Sequence, residues 1–395
     1  MRVKKCYYLY INMSRNNTIV PIESKILVWA RNRINMSLHE VADKLDKDIK
    51  TIENWEQGLE LPTLAQLEKL SYSIYKVPLA VFFMPEPPEE PSIDRQFRTI
   101  PEQEITLLPS KLMLKIKEGQ YLQEVLKDLF NGRNPSIEPI FKKLKTFNQK
   151  TIFKTAESIR KELVINKGIQ IRFKDSTEAF KYYRNQIEKA GIFVFQQTLK
   201  DFCRGYSLYD DQFPVIVINS SENSDTGKNF TLFHELSHLL LNMGGLTNDY
   251  TYQSDNSEEI LCNKLAANIL VNDLELQKYE IVYENSSLEW EEKTLSILAK
   301  EHKVSQEVIP RKLLDLGLTS RSFYNTKRHE WQSQTYPKRK GSGNFYRNKL
   351  SKLGNYYTSI ILSNLYTGRI NSYQASEYLG LKINQIPQIE KLVFK

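Results

Sequence analysis

Residues 229–242 read Asn-Phe-Thr-Leu-Phe-His-Glu-Leu-Ser-His-Leu-Leu-Leu-Asn, and the pattern His234-Glu235-Leu236-Ser237-His238 inside them sets the expected fold. On a helix, residues four apart lie one turn above each other, so His234 and His238 point the same way, about 6 Å apart. Two imidazoles at that spacing can hold one zinc ion and leave room for a third protein ligand and a water. Glu235 is turned about 100° away from them, beside such a water, where a general base must stand. The chain has only five histidines in 395 residues, so the pattern is no accident of composition. Apolar residues flank it on both sides, and Asn242 with Gly244 and Gly245 supplies a helix stop. Affinity order alone does not select zinc over manganese or another divalent ion.

A catalytic zinc usually takes three protein ligands. Ser-Glu-Glu-Ile-Leu-Cys-Asn-Lys-Leu-Ala-Ala-Asn-Ile-Leu-Val at 257–271 is a second helical pattern, opened by Ser257 as an N-cap. The third ligand is therefore expected at Glu258 or Glu259. Asn263, one turn after Glu259, is placed to hydrogen-bond a ligating histidine. Cys262 is expected to pack as a small hydrophobe rather than to ligate. Here the sequence resembles the ImmA/IrrE family of metallopeptidases, whose second motif is Glu-x-x-(Ala or Cys)-Asn-x-x-Ala-Ala. Glu259, Cys262, Asn263, Ala266 and Ala267 match it, and the resemblance implies Glu259 as the ligand. Where that family usually carries a proline this chain has Asn272, so the motif leaves the end of the helix open.

At 395 residues the chain should hold two or three domains. With 41% hydrophobic and 26% charged residues it has the composition of an ordinary soluble protein, and no run approaches the ~18 apolar residues of a membrane span. The first fourteen residues have neither the apolar core nor the cleavage site of a signal peptide. Three scattered cysteines, Cys6, Cys203 and Cys262, suit a reducing cytoplasm. The net charge of +8 permits an acidic partner without demanding one.

Residues 1–19 are expected to be an extension outside the fold. From 20 to 84 short helices follow one another. The segment 23–34 carries Ile26, Trp29 and Ala30 on one face. Ser37 and Glu40 form a capping box ahead of Leu38, Val41, Ala42 and Leu45. The segment 48–58 is capped by Asp48, turns Ile49, Ile52 and Trp55 inward and stops at Gly58. Thr63 and Gln66 cap a fourth helix carrying Leu64, Leu67, Leu70 and Ile74. Two short helices joined by a tight turn within a five-helix bundle make a helix-turn-helix. The segment resembles the Xre/Cro-repressor type through Trp55-Glu56-x-Gly58 and Pro62-Thr63. In a DNA-binding domain of that kind Lys47, Lys50, Thr51 and Asn54 should face bases and phosphates. Charge argues the other way: residues 21–80 hold eight Lys/Arg against nine Asp/Glu, whereas a DNA-binding surface should be basic. A protein-docking or homodimerising module is the alternative.

A Pro- and charge-rich linker is expected at 85–108, then a metallopeptidase domain at 109–320 with its core at about 173–275. In that core an amphipathic helix at 173–191 precedes strands at 192–196, 204–209 and 214–219. The strand 214–219, or the one beside it, is the candidate to pair with substrate as an added strand; a buried central strand is the other reading. Residues 321–349 form a basic stretch with interleaved aromatics, expected as a mobile surface loop. The rest to 395 is helical, faintly helix-turn-helix in rhythm at 366–382. His39, His302 and His329 stand alone, with His302 or His329 in reach of an oxyanion role only if the fold brings one to the metal.

The expected fold is α+β and mostly helical: a five-helix bundle, a zincin-like domain with a small sheet, and a helical C-terminal region. The resemblance implies a cytoplasmic, site-specific zinc metalloendopeptidase that regulates transcription by cleaving a partner helix-turn-helix repressor. The alternative is a DNA-binding regulator whose peptidase fold serves sensing or protein interaction. The intact Glu235 argues against it, since a zinc-binding scaffold needs no base.

Overall fold

The structure, a computed structural model, describes residues 18–90, 93, 102–144, 147–222, 224–242, 244–247, 257–332 and 343–394. Most of the expected N-terminal extension and the middle of the expected linker lie outside the described residues. The chain divides into two compact units, with the boundary inside the helix Ser110–Leu129.

In the first unit, helices α1 (Ser24–Asn32), α2 (Leu38–Leu45), α3 (Ile49–Gln57) and α4 (Leu64–Glu68) follow in order. Their ends obey local chemistry. The Ser37–Glu40 and Thr63–Gln66 capping boxes are both closed, and the Asp48 carboxylate accepts from the Lys50 N–H at 2.9 Å. Asp46 turns the chain between α2 and α3 at φ 57°, a left-handed conformation that aspartate tolerates, and Gly58 ends α3 at φ 73°. Ile26, Leu27, Ala30, Val41, Ala42, Leu45, Ile52, Trp55, Leu67, Leu70 and Ile74 are buried.

Three expectations need correction here. Trp29 is only half-buried, with the Arg33 guanidinium 5.4 Å from its ring centroid, and Leu27 takes the core position. Ile49, at the first position of α3, is 36% exposed. The fourth helix does not run through: after Glu68 it widens into a π-helix at Lys69–Tyr75, tied off by the buried Ser71 hydroxyl donating to the Val77 carbonyl at 2.6 Å.

The helix that carries the boundary is α5 (Ser110–Leu129), and from Gly119 on it belongs to the second unit, with α6 (Ile152–Glu162), α7 (Ser176–Lys189), α8 (Asp225–Leu240), α9 (Ser257–Leu270), α10 (Glu292–His302) and α11 (Val308–Asp315). Strands β1 (Phe193–Gln197), β2 (Gly205–Leu208), β3 (Val215–Asn219) and β4 (Leu246–Thr247) form one sheet in the order β1-β3-β2-β4. β1 runs parallel to β3, while β2 is antiparallel to both β3 and β4. α7 packs on β1 and α8, α8 on β2, β3 and α9, and α6 on α9. Their shared core includes Tyr183, Ile187, Ile216, Ile218, Phe233, Leu236, Leu265 and Ile269.

The Val215–Asn219 strand lies between β1 and β2, so both its edges are already paired and it cannot take substrate as an added strand. The outer edge of β2 is occupied as well, by β4 and by the Ser207 N–H to Gly245 carbonyl bond of 2.9 Å.

The C-terminal helices α13 (Phe345–Leu353) and α14 (Asn355–Tyr366) belong to this unit. Arg184, buried and paired with Glu188 at 3.0 Å, donates to the Ser351 carbonyl at 2.7 Å and to that of Val194. The basic stretch is helical over α12 (Arg321–Gln332), where Tyr324 and Trp331 are buried, which corrects the expected surface loop there; residues 333–342 lie outside the described ones. Apolar anchors within the charges explain the difference.

Candidate metal centre

Every side chain of α8 from Asn229 to Leu240 is buried. The helix starts where the Ser224 side chain accepts from the Gly227 N–H and stops at Asn242, φ 57°. Its approach to the sheet depends on Gly205, since a Cβ there would lie 2.6 Å from Thr231 Cγ2 and 2.9 Å from the Val217 carbonyl.

On the face toward α9, His234 Nε2 and His238 Nε2 stand 3.0 Å apart. Glu259 reaches both: Oε2 is 3.2 Å from His234 Nε2 and Oε1 is 3.2 Å from His238 Nε2. Ligand atoms of these three residues lie within 4.8 Å of one another. Glu259, not Glu258, forms the cluster. The histidines are buried, while the Glu259 side chain keeps 21% exposure, so the cluster has one solvent-facing side.

Asn263 Oδ1 lies 2.9 Å from His234 Nδ1. A carbonyl oxygen only accepts, so the imidazole proton sits on Nδ1 and Nε2 carries a lone pair. That lone pair faces His238 Nε2 and a carboxylate oxygen. Acceptors converging in this way call for a cation between them, and two imidazoles with one carboxylate suit zinc and other divalent ions. Cys262 Sγ lies 3.6 Å from His238 Nδ1. It sits on the ring nitrogen opposite the Nε2 of the cluster, so it is a partner to the ring rather than a member of the cluster; burial, reinforced by the Glu259 and Glu235 charges, pushes this thiol well up.

Glu235 is fully buried and outside the cluster. Its Oε2 accepts from the Ser207 hydroxyl on β2 at 2.8 Å, and that hydroxyl accepts from the Gly245 N–H at 3.0 Å. A Cβ at Gly245 would fall 2.5–2.8 Å from ring atoms of His238, so the loop backbone lies against the imidazole. Sequence reasoning missed both residues. Their only signals were a serine inside an apolar strand and a second glycine after the helix.

His302 is not near the cluster. It is buried beside the Tyr279 ring, with centroids 5.8 Å apart, and interacts with the Leu270 backbone at the far end of α9. Eleven residues of helix separate Leu270 from Glu259, about 16 Å of rise, which removes His302 from any oxyanion role. His329 is exposed on α12. The end of α9 is held by Arg160 Nη1 donating to the Ile269 carbonyl at 2.6 Å and Gln170 Nε2 donating to that of Leu270 at 2.8 Å. Asn272 caps the next helix, its side chain accepting from the Glu275 N–H at 3.0 Å; that is how the chain ends α9 without a proline.

In the first unit, Lys47 and Lys50 are exposed and Thr51 and Asn54 half-buried. Asn54 Nδ2 donates to Glu60 Oε1 at 3.1 Å.

Residues 187–314 match the family described as the IrrE N-terminal-like domain of peptidase M78. An IrrE-like peptidase domain is thus present, and the match spans α8, α9 and the whole cluster. No curated protein and no solved structure matches the chain. No described helix is long and apolar enough to cross a membrane.

Proposed function

We propose that this chain is a site-specific metalloendopeptidase that regulates transcription by cutting a partner protein, a helix-turn-helix repressor. His234, His238 and Glu259 would hold zinc or a similar divalent ion. The single observation that carries the reading is a buried carboxylate, Glu235, beside a His-His-Glu cluster but not part of it. A divalent ion bound there supplies a Lewis acid for the peptide carbonyl and lowers the pKa of a water. Glu235 takes the proton of the attacking water and returns it to the departing amine. Asn263 fixes the His234 tautomer, and the exposed side of Glu259 is where the peptide enters.

The first unit is read as a helix-turn-helix domain that brings the peptidase to DNA through Lys47, Lys50, Thr51 and Asn54. The resemblance around Trp55-Glu56-x-Gly58 supports this reading; its charge balance does not.

Co-expression with the repressors encoded beside its gene tests the proposal. A cut made by the wild-type chain and absent with Glu235→Gln is expected. A regulator that represses or activates equally well with Glu235→Gln, and cuts nothing, would instead be using the peptidase fold as a sensing module.

A further inference from the structure

A fully buried hydroxyl in a strand needs a reason, and Ser207 has one. Its backbone N–H donates to the Gly245 carbonyl at 2.9 Å, and its Oγ accepts from the Gly245 N–H at 3.0 Å. An N–H can only donate, so the hydroxyl hydrogen remains for Glu235 Oε2, 2.8 Å away. The same Gly245 backbone lies against the His238 ring, as a Cβ there would show by clashing at 2.5 Å. One loop residue therefore packs against an imidazole of the cluster and, through Ser207, holds the neighbouring carboxylate. A carboxylate pinned through one oxygen cannot rotate freely, which matters for a base that must meet a water at one point.

We propose that Ser207 is a positioning residue for Glu235: it holds the base in its working orientation and has no part in holding the metal. This rests on the peptidase reading above. The bland alternative is that Ser207 merely satisfies the Gly245 N–H and steadies the loop against His238.

The test uses the full chain loaded with cobalt and probed with acetohydroxamate. That compound chelates a divalent ion through two oxygens and hydrogen-bonds a carboxylate beside it, so binding can be followed in the cobalt absorption spectrum without knowing the substrate. Ser207→Ala should weaken acetohydroxamate by ~10-fold, the scale typical of an outer hydrogen-bond partner. Cobalt affinity should stay within ~2-fold, since no ligand is altered. Glu235→Gln should weaken the probe at least as much, and Ser207→Ala added to Glu235→Gln should cost nothing further, because residues acting through one another are not additive.

Wild-type probe affinity in Ser207→Ala, loss of cobalt together with the probe, or a full additional loss in the double variant would each overturn the proposal. A chain that binds no cobalt, or whose probe affinity ignores Glu235→Gln, would instead overturn the peptidase reading beneath it. If Ser207→Ala lowers the melting temperature, Ser207→Cys, which fills the same space with a poor donor, carries the same expectations.

Discussion

Glu235 differs from Glu259 only in where its carboxylate stands, and that difference can be measured. Glu235→Gln should keep the metal, because the residue is outside the cluster, yet lower peptide cleavage by at least ~10²-fold through loss of the base. Cleavage at the wild-type rate would rule out the proposed mechanism. Glu259→Gln should weaken metal binding by ~10-fold or more, with Asn263→Ala intermediate and Glu258→Gln nearly silent; a metal titration on the four proteins reads all of this. His302 carries a separate expectation. Burial, with Arg160 and Lys167 nearby, lowers its imidazole pKa from 6.5 to about 4. Above 6.5 the ring is neutral folded or unfolded, so it adds no pH dependence there. Between 6.5 and about 4 the unfolded chain takes up a proton that the folded one refuses, so stability falls with falling pH. The fall is at most ~3.5 kcal/mol, at ~1.4 kcal/mol per pH unit. Urea unfolding from pH 7 to pH 4 should show a steeper acid loss in wild type than in His302→Gln, and equal slopes would refute the assignment.

At the scale of elements, the centre depends on how closely three pieces of backbone can approach. Gly205 lets α8 lie on β2, and Gly245 lets the following loop lie on His238. In Gly245→Ala the ring or the loop must move. Metal affinity should drop by ~10-fold or more, with a stability loss of ~1–3 kcal/mol from overpacking. Isothermal titration and thermal melts would check both, and an unchanged metal affinity would mean that the loop yields in place of the ring. The strand order also bears on where a peptide substrate would be held. With β3 paired on both sides and β2 covered by β4 and Gly245, a peptide cannot join the sheet at the strand first considered for it.

For the whole molecule, the division into two compact units makes the two proposed activities separable by mutation. If the first unit reads DNA, replacing both Lys50 and Asn54 by Ala should weaken binding to DNA upstream of its own gene by several-fold to ~100-fold, since a good base contact is worth ~1–3 kcal/mol. Binding should also fall steeply with added salt, while cleavage of the partner protein continues. Salt-insensitive or absent DNA binding by the wild-type chain would leave the unit as a protein-docking module, a result its exposed acidic residues and the Asn54–Glu60 bond make intelligible.

What the sequence determined by itself was local. His234 and His238 share a face because a helix turns every 3.6 residues, and the caps at Ser37, Asp48 and Thr63 close within three residues of their own position. The three longer strands were legible from their apolar runs. Placement across the chain was not. Whether Glu258 or Glu259 meets the imidazoles depends on how α9 crosses α8, and a one-residue step on a helix changes direction by about 100°. Trp29 and Ile49 looked inward because periodicity marks a face without saying how far the core extends over it. β3 became central because strand order is set by long-range pairing that no short window contains. Ser207 and Gly245 made their contacts with Glu235 and His238 only when a strand, a helix and a loop far apart in sequence were packed together, which is a property of the tertiary fold alone.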